Sequence, residues 1–246
     1  MKKLFTAALC VSLSLGAFAQ KGFSFGAYVL PQSTWILNQN DFDLGKVRDF
    51  RSTINVGYGL QAGYGISDNF SIQTGAYFSR LGQDYTSTVV TNPLTGAEVK
   101  SDYSVKVDYL RVPLLASFNS DPSSNVGFLF NVGADFGFKM ANSIESSNGT
   151  TNSDMPYFVS NTVATNVATD KYYKSLDIQG TMGFGAQIRV TDNLKVQALL
   201  RLGYSLMDIE EKPADTVTFK YSDRKTANHA TAGLQIGLVY SLAGQE

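Results

Sequence analysis

The sequence predicts an all-β chain: an eight-stranded antiparallel up-and-down transmembrane β-barrel. Three observations carry that prediction. From Ile54 to Ile66 every even position is apolar and every odd one is Gly, Asn or Gln, the two-residue period of a strand with unlike faces. The same parity returns at Phe70–Phe78, Val126–Phe138, Leu176–Val190, Leu194–Leu206 and Ala230–Leu242, and none of the 41 even positions in the six stretches is charged. A chain that is 17% charged would place roughly seven charges there, so one face has been cleared as a bilayer requires. Finally, the connections between stretches alternate between short turns and long polar segments.

Taken in chain order, Lys2 and Lys3 precede an apolar run from Leu4 to Leu15, and Ala17-Phe18-Ala19 is a small-x-small site. This pattern predicts a signal peptide over 1–19 and a β-barrel domain over 20–246, the run being too short for a membrane span. Cys10, the one cysteine, lies inside the signal after Leu9, where a lipid-attachment site would want a small residue. The remaining chain has no thiol and therefore no disulfide. It keeps 18 basic and 21 acidic residues, so no basic field exists to attract nucleic acid.

Strands are expected at Gly22–Leu30, Ile54–Ile66, Phe70–Arg80, Ser104–Asn119, Val126–Met140, Ser175–Val190, Leu194–Met207 and Ala227–Leu242. Short turns separate some of them at Ser67-Asp68-Asn69, Ser120–Asn125 and Thr191-Asp192-Asn193, built of residues whose side chains mimic turn hydrogen bonds. Long loops are expected at Pro31–Thr53, Gly82–Tyr103, Ala141–Lys174 and Asp208–Thr226. Both termini then lie at the short-turn end. Residues 65–73 (GISDNFSIQ) and 189–197 (RVTDNLKVQ) echo each other and mark a repeated hairpin.

Period alone does not say which face points outwards, because a soluble lipid-binding barrel reverses the assignment. The odd face decides. Of its 35 positions 13 are Gly and five are charged, namely Asp135, Asp177, Arg189, Lys195 and Arg201. Water-facing strands would carry more charge and fewer glycines, whereas a crowded lumen needs small residues. Aromatic residues flank the aliphatic even positions: Tyr64, Phe70, Phe118 and Tyr240 towards the turns, Phe78, Phe136, Phe138 and Tyr204 towards the loops. Between them stand residues such as Leu60, Val132, Ala134, Ala198, Leu200 and Ile236, the two-girdle signature of an outer-membrane barrel.

The fourth strand carries Asp108-Tyr109-Leu110-Arg111-Val112-Pro113-Leu114-Leu115. This string resembles the Asp-Tyr-Leu-x-Ile/Val-Pro-Leu-Leu segment of the PorT-like outer-membrane β-barrel family, as do the signal peptide and strand number. The resemblance implies an integral outer-membrane protein and no particular activity. Val105 and Val107 are apolar on one parity and Leu110, Val112, Leu114 and Phe118 on the other, which predicts a register shift at a bulge near Tyr109. Pro113 lacks a ladder donor and predicts a bulge or a broken ladder.

Sites for chemistry are sparse, and no catalytic, cofactor-binding or metal residues are assigned. His229 is the sole histidine; with Ser205 and Asp208 it frames an alternative, an enzyme acting on envelope lipids at the rim. No Gly-x-Ser-x-Gly elbow accompanies it. One histidine and no thiol disfavour a transition-metal site. Gly57-x-Gly59 and Gly183-x-Gly185 lie inside strands and form no dinucleotide fingerprint. The lumen charges, with Gln61, Gln73, Asn131, Gln179, Gln187 and Gln197, are expected to pair with one another and plug an eight-strand interior. The expected role is structural, adhesive or accessory to another envelope assembly. Its partners are outer-membrane lipids and, through loops 141–174 and 208–226, an envelope protein. Residues 141–170 hold 15 Ser, Thr or Asn among 30, a composition without the means to build a core.

Overall fold

The computed structural model describes residues 22–38, 48–91, 98–120, 125–146, 149–151, 155–159, 162–167, 173–211 and 225–242. The expected signal peptide lies outside them. Eight strands form the wall: β1 Phe23–Asn38, β2 Arg48–Gly65, β3 Phe70–Thr91, β4 Glu98–Asn119, β5 Val126–Ser146, β9 Leu176–Arg189, β10 Leu194–Ser205 and β11 Ala227–Ser241. Between β5 and β9 fall three short ones, β6 Gly149–Thr151, β7 Met155–Val159 and β8 Thr162–Val167. Each wall strand pairs antiparallel with its sequence neighbour among the eight, and β1 pairs with β11. The sheet therefore closes and leaves no wall strand with an open edge. The up-and-down eight-stranded barrel is as the periodicity predicts.

The faces follow the predicted parity. Ile54, Leu60, Ile72, Val132, Met182, Leu200, Leu234 and Ile236 are exposed outwards, while Asn131, Asp135, Asp177, Gln187 and Arg201 are buried inside. Two turns explain the sequence echo. In each, the last residue uses its carbonyl and its side-chain amide on the adjoining strand end. Asn119 N–H donates to the Asn69 carbonyl at 2.8 Å and Asn69 Nδ2 to the Asn119 carbonyl at 2.7 Å. Likewise Ser241 N–H donates to the Asn193 carbonyl at 2.7 Å and Asn193 Nδ2 to the Ser241 carbonyl at 2.9 Å.

The loop end differs from expectation. Much of Pro31–Thr53 and Gly82–Tyr103 is strand, since β1 runs to Asn38 and the β3–β4 ladder continues from Arg80↔Asp108 to Thr91↔Glu98. Roughly ten residues suffice to cross a bilayer, whereas β3 and β4 have 22 each. The two-residue period continues there with a different outer solvent. Outward positions turn from Phe78 and Leu110 to Arg80, Asp84, Lys106 and Asp108, while Leu81, Tyr85, Val105 and Val107 stay buried inside. A polar outer face reads as a loop in sequence and pairs as a strand in three dimensions.

The expected shift near Tyr109 is present, between Asp108 and Tyr109 in the β4–β5 ladder, but its reason is different. Val105, Val107, Tyr109 and Arg111 are all buried on one face of β4, so that strand keeps its parity. The extra residue is on β5, where Asp108 pairs with Ala141 and Tyr109 with Lys139, leaving Met140 unpaired. A second shift lies between Ser52 and Tyr58 in the β2–β3 ladder. Pro113 breaks the ladder without a bulge: pairing with β3 stops at Thr74↔Leu114 and resumes at Tyr77↔Arg111. The Pro113 carbonyl instead accepts the Thr74 hydroxyl at 2.8 Å, which satisfies a group that lipid would leave unpaired.

Candidate functional site in the lumen

The barrel interior is layered, and each layer follows from which residues the inward parity supplies. Towards the turn end, amides from β2, β9, β10 and β11 form a chain. Gln61 Nε2 donates to Gln197 Oε1 at 3.2 Å, Gln197 Nε2 to Gln187 Oε1 at 3.4 Å and Gln235 Nε2 to Gln61 Oε1 at 3.4 Å. Lys195 and Arg189 stand side by side in the β9–β10 register. Gln73 is half-buried on β3.

Above the amides, Arg201 grips Asp135 through both carboxylate oxygens at 2.9 and 3.0 Å and donates to Gln235 at 2.8 Å. The Tyr77 hydroxyl and the Thr181 hydroxyl complete the Asp135 shell at 2.7 and 3.0 Å. The guanidinium also lies over the Tyr77 ring, 5.1 Å from its centroid. Glycine makes this crowding fit. A Cβ on Gly59 would lie 2.3 Å from Tyr77 Cβ.

A second ion pair follows towards the loop end. Arg111 donates to Asp177 at 2.6 Å, and the same carboxylate accepts Ser205 Oγ at 2.8 Å and Gln179 Nε2 at 3.2 Å. His229 Nδ1 is 3.4 Å from Asp177. Its ring meets Tyr109 edge to face at 5.7 Å. Arg111, Asp177, Ser205 and His229 are all fully buried. Buried charges at this density persist only because each carboxylate has a guanidinium and further donors.

An apolar cluster lies at the loop end. Ile36, Leu81, Tyr85, Val105, Val107, Tyr109 and Ala227 form one buried cluster with Tyr173 and Ile209, which arrive from outside the wall strands. They are held there by the Tyr173↔Glu210 bridge, by Lys174 N–H on the Ile209 carbonyl at 2.8 Å and by Ile209 N–H on the Ala227 carbonyl at 3.0 Å. The gap lower down, between Leu115, Asn131, Thr181, Leu199 and Gln235, is too narrow to admit a water molecule.

Of the lumen charges singled out in the sequence, Asp135 and Arg201 pair with each other, whereas Asp177 pairs with Arg111, which was not among them, and Arg189 and Lys195, both basic, lie side by side. Ser205 and His229 do come together, but Asp208 is not their acid. Its carboxylate caps backbone N–H groups of Glu210 and Ala227 at 3.3 and 3.1 Å, and Asp177 takes the place beside His229. The order is also wrong for nucleophile activation. Ser205 donates to the carboxylate and accepts the His229 backbone N–H at 3.1 Å, so no imidazole nitrogen stands ready for its proton. Arg111 and Tyr77 were missed. Arg111 sits inside an apolar string, and the signal that finds it is its parity, in step with Val105, Val107 and Tyr109. Among the described residues no three of His, Cys, Asp and Glu gather to hold a metal ion.

Residues 18–211 match the sequence profile of a family described as outer membrane protein beta-barrel domain. No curated protein matches the chain significantly. Among solved structures, the Neisserial surface protein A is similar at 14% identity, with a TM-score of 0.42 over 89% of this chain and 96% of that one. OprG from Pseudomonas aeruginosa is similar at 13% identity and 0.39, over 91% and 96%. The attachment invasion locus protein of Yersinia pestis is similar at 11% identity and 0.39, over 89% and 99%. A closed antiparallel barrel with an apolar outer face, and a family match over most of its length, make this chain a member of the outer membrane protein beta-barrel domain family, located in the cell outer membrane.

Proposed function

We propose that the protein is a non-conducting, non-enzymatic barrel that holds its loop end rigidly outside the cell, in a structural, adhesive or accessory envelope role. The observation that supports this reading is the layered interior, in which two buried ion pairs, an amide chain and an apolar cap occupy successive levels of the lumen. The Ser205–Asp177–His229 cluster supports it too, being sealed beneath Tyr109, Tyr173 and Ile209. The loops 141–174 and 208–226 are the surfaces for an envelope protein partner, since rigid scaffolds place binding on their connections. In this reading residues 1–19 act as the export signal, and the Asp108–Leu115 string supports kinship with the PorT-like barrels.

Planar-bilayer recording tests the reading. The purified barrel is expected to show no large steady channel, and a stable porin-sized conductance would refute the plug.

A further inference from the structure

The turn-end half of the lumen contains cations without a matching acid. On the turn side of Asp135, none of the described wall-strand residues is Asp or Glu. Yet Arg189 and Lys195 face inwards there, directly opposite each other on β9 and β10. Like charges in that relation repel, because their Cβ atoms stand only about 5 Å apart. Lys195 is 8% exposed and hydrogen-bonds to no described residue. Asp68 and Asp192, in the turns beneath, are exposed.

The amide chain of the same half is polarised towards this pair. A guanidinium has only donors, so the 2.8 Å contact from Arg201 turns the Gln235 carbonyl towards it and the Gln235 amide group away. The direction then propagates: Gln235 donates to Gln61, Gln61 to Gln197 and Gln197 to Gln187. The chain ends on Gln187 Nε2, which donates to no described residue although Gln187 is only 7% exposed. Hydrogen bonds aligned head to tail strengthen one another, so this last amide is a better donor than an isolated one. Gln187 faces Gln197 in the inward pair next to Arg189 and Lys195. On its other side stands Gly127 of β5, which brings no side chain to that level.

An ammonium, a guanidinium and an open amide donor thus occupy two neighbouring inward pairs, about 5 Å apart across the strands and about 7 Å along them. That spacing suits one compact oxyanion, whose acceptors take all three donors and whose charge offsets the repulsion between the cations. The geometry points to a binding site for a phosphate-type oxyanion in the turn-end mouth of the lumen. The ligand enters from water, because β9 and β10 themselves stand between these side chains and lipid. With the loop end outside the cell, as proposed above, it comes from the periplasm. A lipid headgroup carries the same chemical group, and the test separates the two sources.

Urea unfolding of the full barrel from phosphatidylcholine vesicles, with inorganic phosphate against chloride at equal ionic strength, tests the site. Phosphate is expected to raise the wild-type midpoint in a saturable way. Lys195→Met is expected to need at least tenfold more phosphate for the same rise. Gln187→Glu keeps the test decisive if that variant misfolds, since its carboxylate still accepts from Gln197 and supplies a negative charge beside the cations. It is expected to unfold at higher urea than wild type in chloride and to ignore phosphate. Lower stability of Gln187→Glu in chloride would show the cations already neutralised and would overturn the site. A wild type indifferent to phosphate, or an unchanged response in Lys195→Met, would do the same. Phosphatidylglycerol vesicles in chloride are expected not to reproduce the rise, and a rise there would overturn the soluble source in favour of a lipid headgroup. The orientation is tested separately, because these midpoints do not depend on which end faced the medium.

Discussion

Arg111 of β4 and Asp177 of β9 meet at 2.6 Å across the barrel interior, with β5 between their strands. Neither strand contains its own counter-charge at that level. The pair therefore locks two non-adjacent staves of the wall, and around it gather Ser205, Gln179 and His229.

Breaking that pair from one side leaves a buried charge uncompensated. Arg111→Met and Asp177→Leu are each expected to cost about 3 to 5 kcal/mol in urea unfolding from lipid vesicles. Replacing both with apolar residues, as Arg111→Met with Asp177→Leu, is expected to cost less than either single change. Additive losses in that double-mutant cycle would show that the two residues act independently.

The outward face gives a depth-dependent expectation. Arg in place of Val132, Ala134, Ala198 or Leu200 should cost about 2 to 4 kcal/mol, whereas Met140→Arg at the bulge beyond Phe138 should cost about 0 to 1. Equal tolerance at both depths, read from unfolding free energies, would remove the lipid assignment.

Gly59 tests the crowding of the lumen. Gly59→Ala sets a methyl group against Tyr77 and should destabilise by about 1 to 3 kcal/mol. Because the atoms it meets are Tyr77 Cβ and the backbone at Ala76 and Tyr77, adding Tyr77→Ala, which keeps the Cβ, should recover none of the loss. Recovery in the double variant would show that the tyrosine ring, and not the close approach of β2 to β3, carries the strain.

Orientation is expected from the connection lengths: long loops outside, short turns in the periplasm. A single cysteine at Gly149, in a Cys10→Ser background, should react with a membrane-impermeant thiol reagent on intact cells. One at Asp68 or Asp192 should react only after the outer membrane is permeabilised. The reverse pattern would invert the topology.

The sequence by itself determined the barrel, its strand number and the identity of its two faces. That is because lipid imposes one rule on every second residue, and a rule repeated over 41 positions is legible without knowing any neighbour. The turn pair at Asn69 and Asn193 was legible for the same local reason. Only the tertiary structure decided where the strands end, since a polar outer face beyond the lipid keeps the period while losing the contrast, as from Arg80 to Thr86. It also decided the partners inside. Asp208 is far nearer to Ser205 in sequence than Asp177 is, yet strand pairing carries β9 alongside β10 and sends Asp208 to cap the backbone at Ala227. Arg111 became a lumen residue because a bulge on β5, and not on β4, absorbed the register shift. Which charge meets which across a closed barrel depends on the stagger of eight strands, and no stretch of sequence contains that sum.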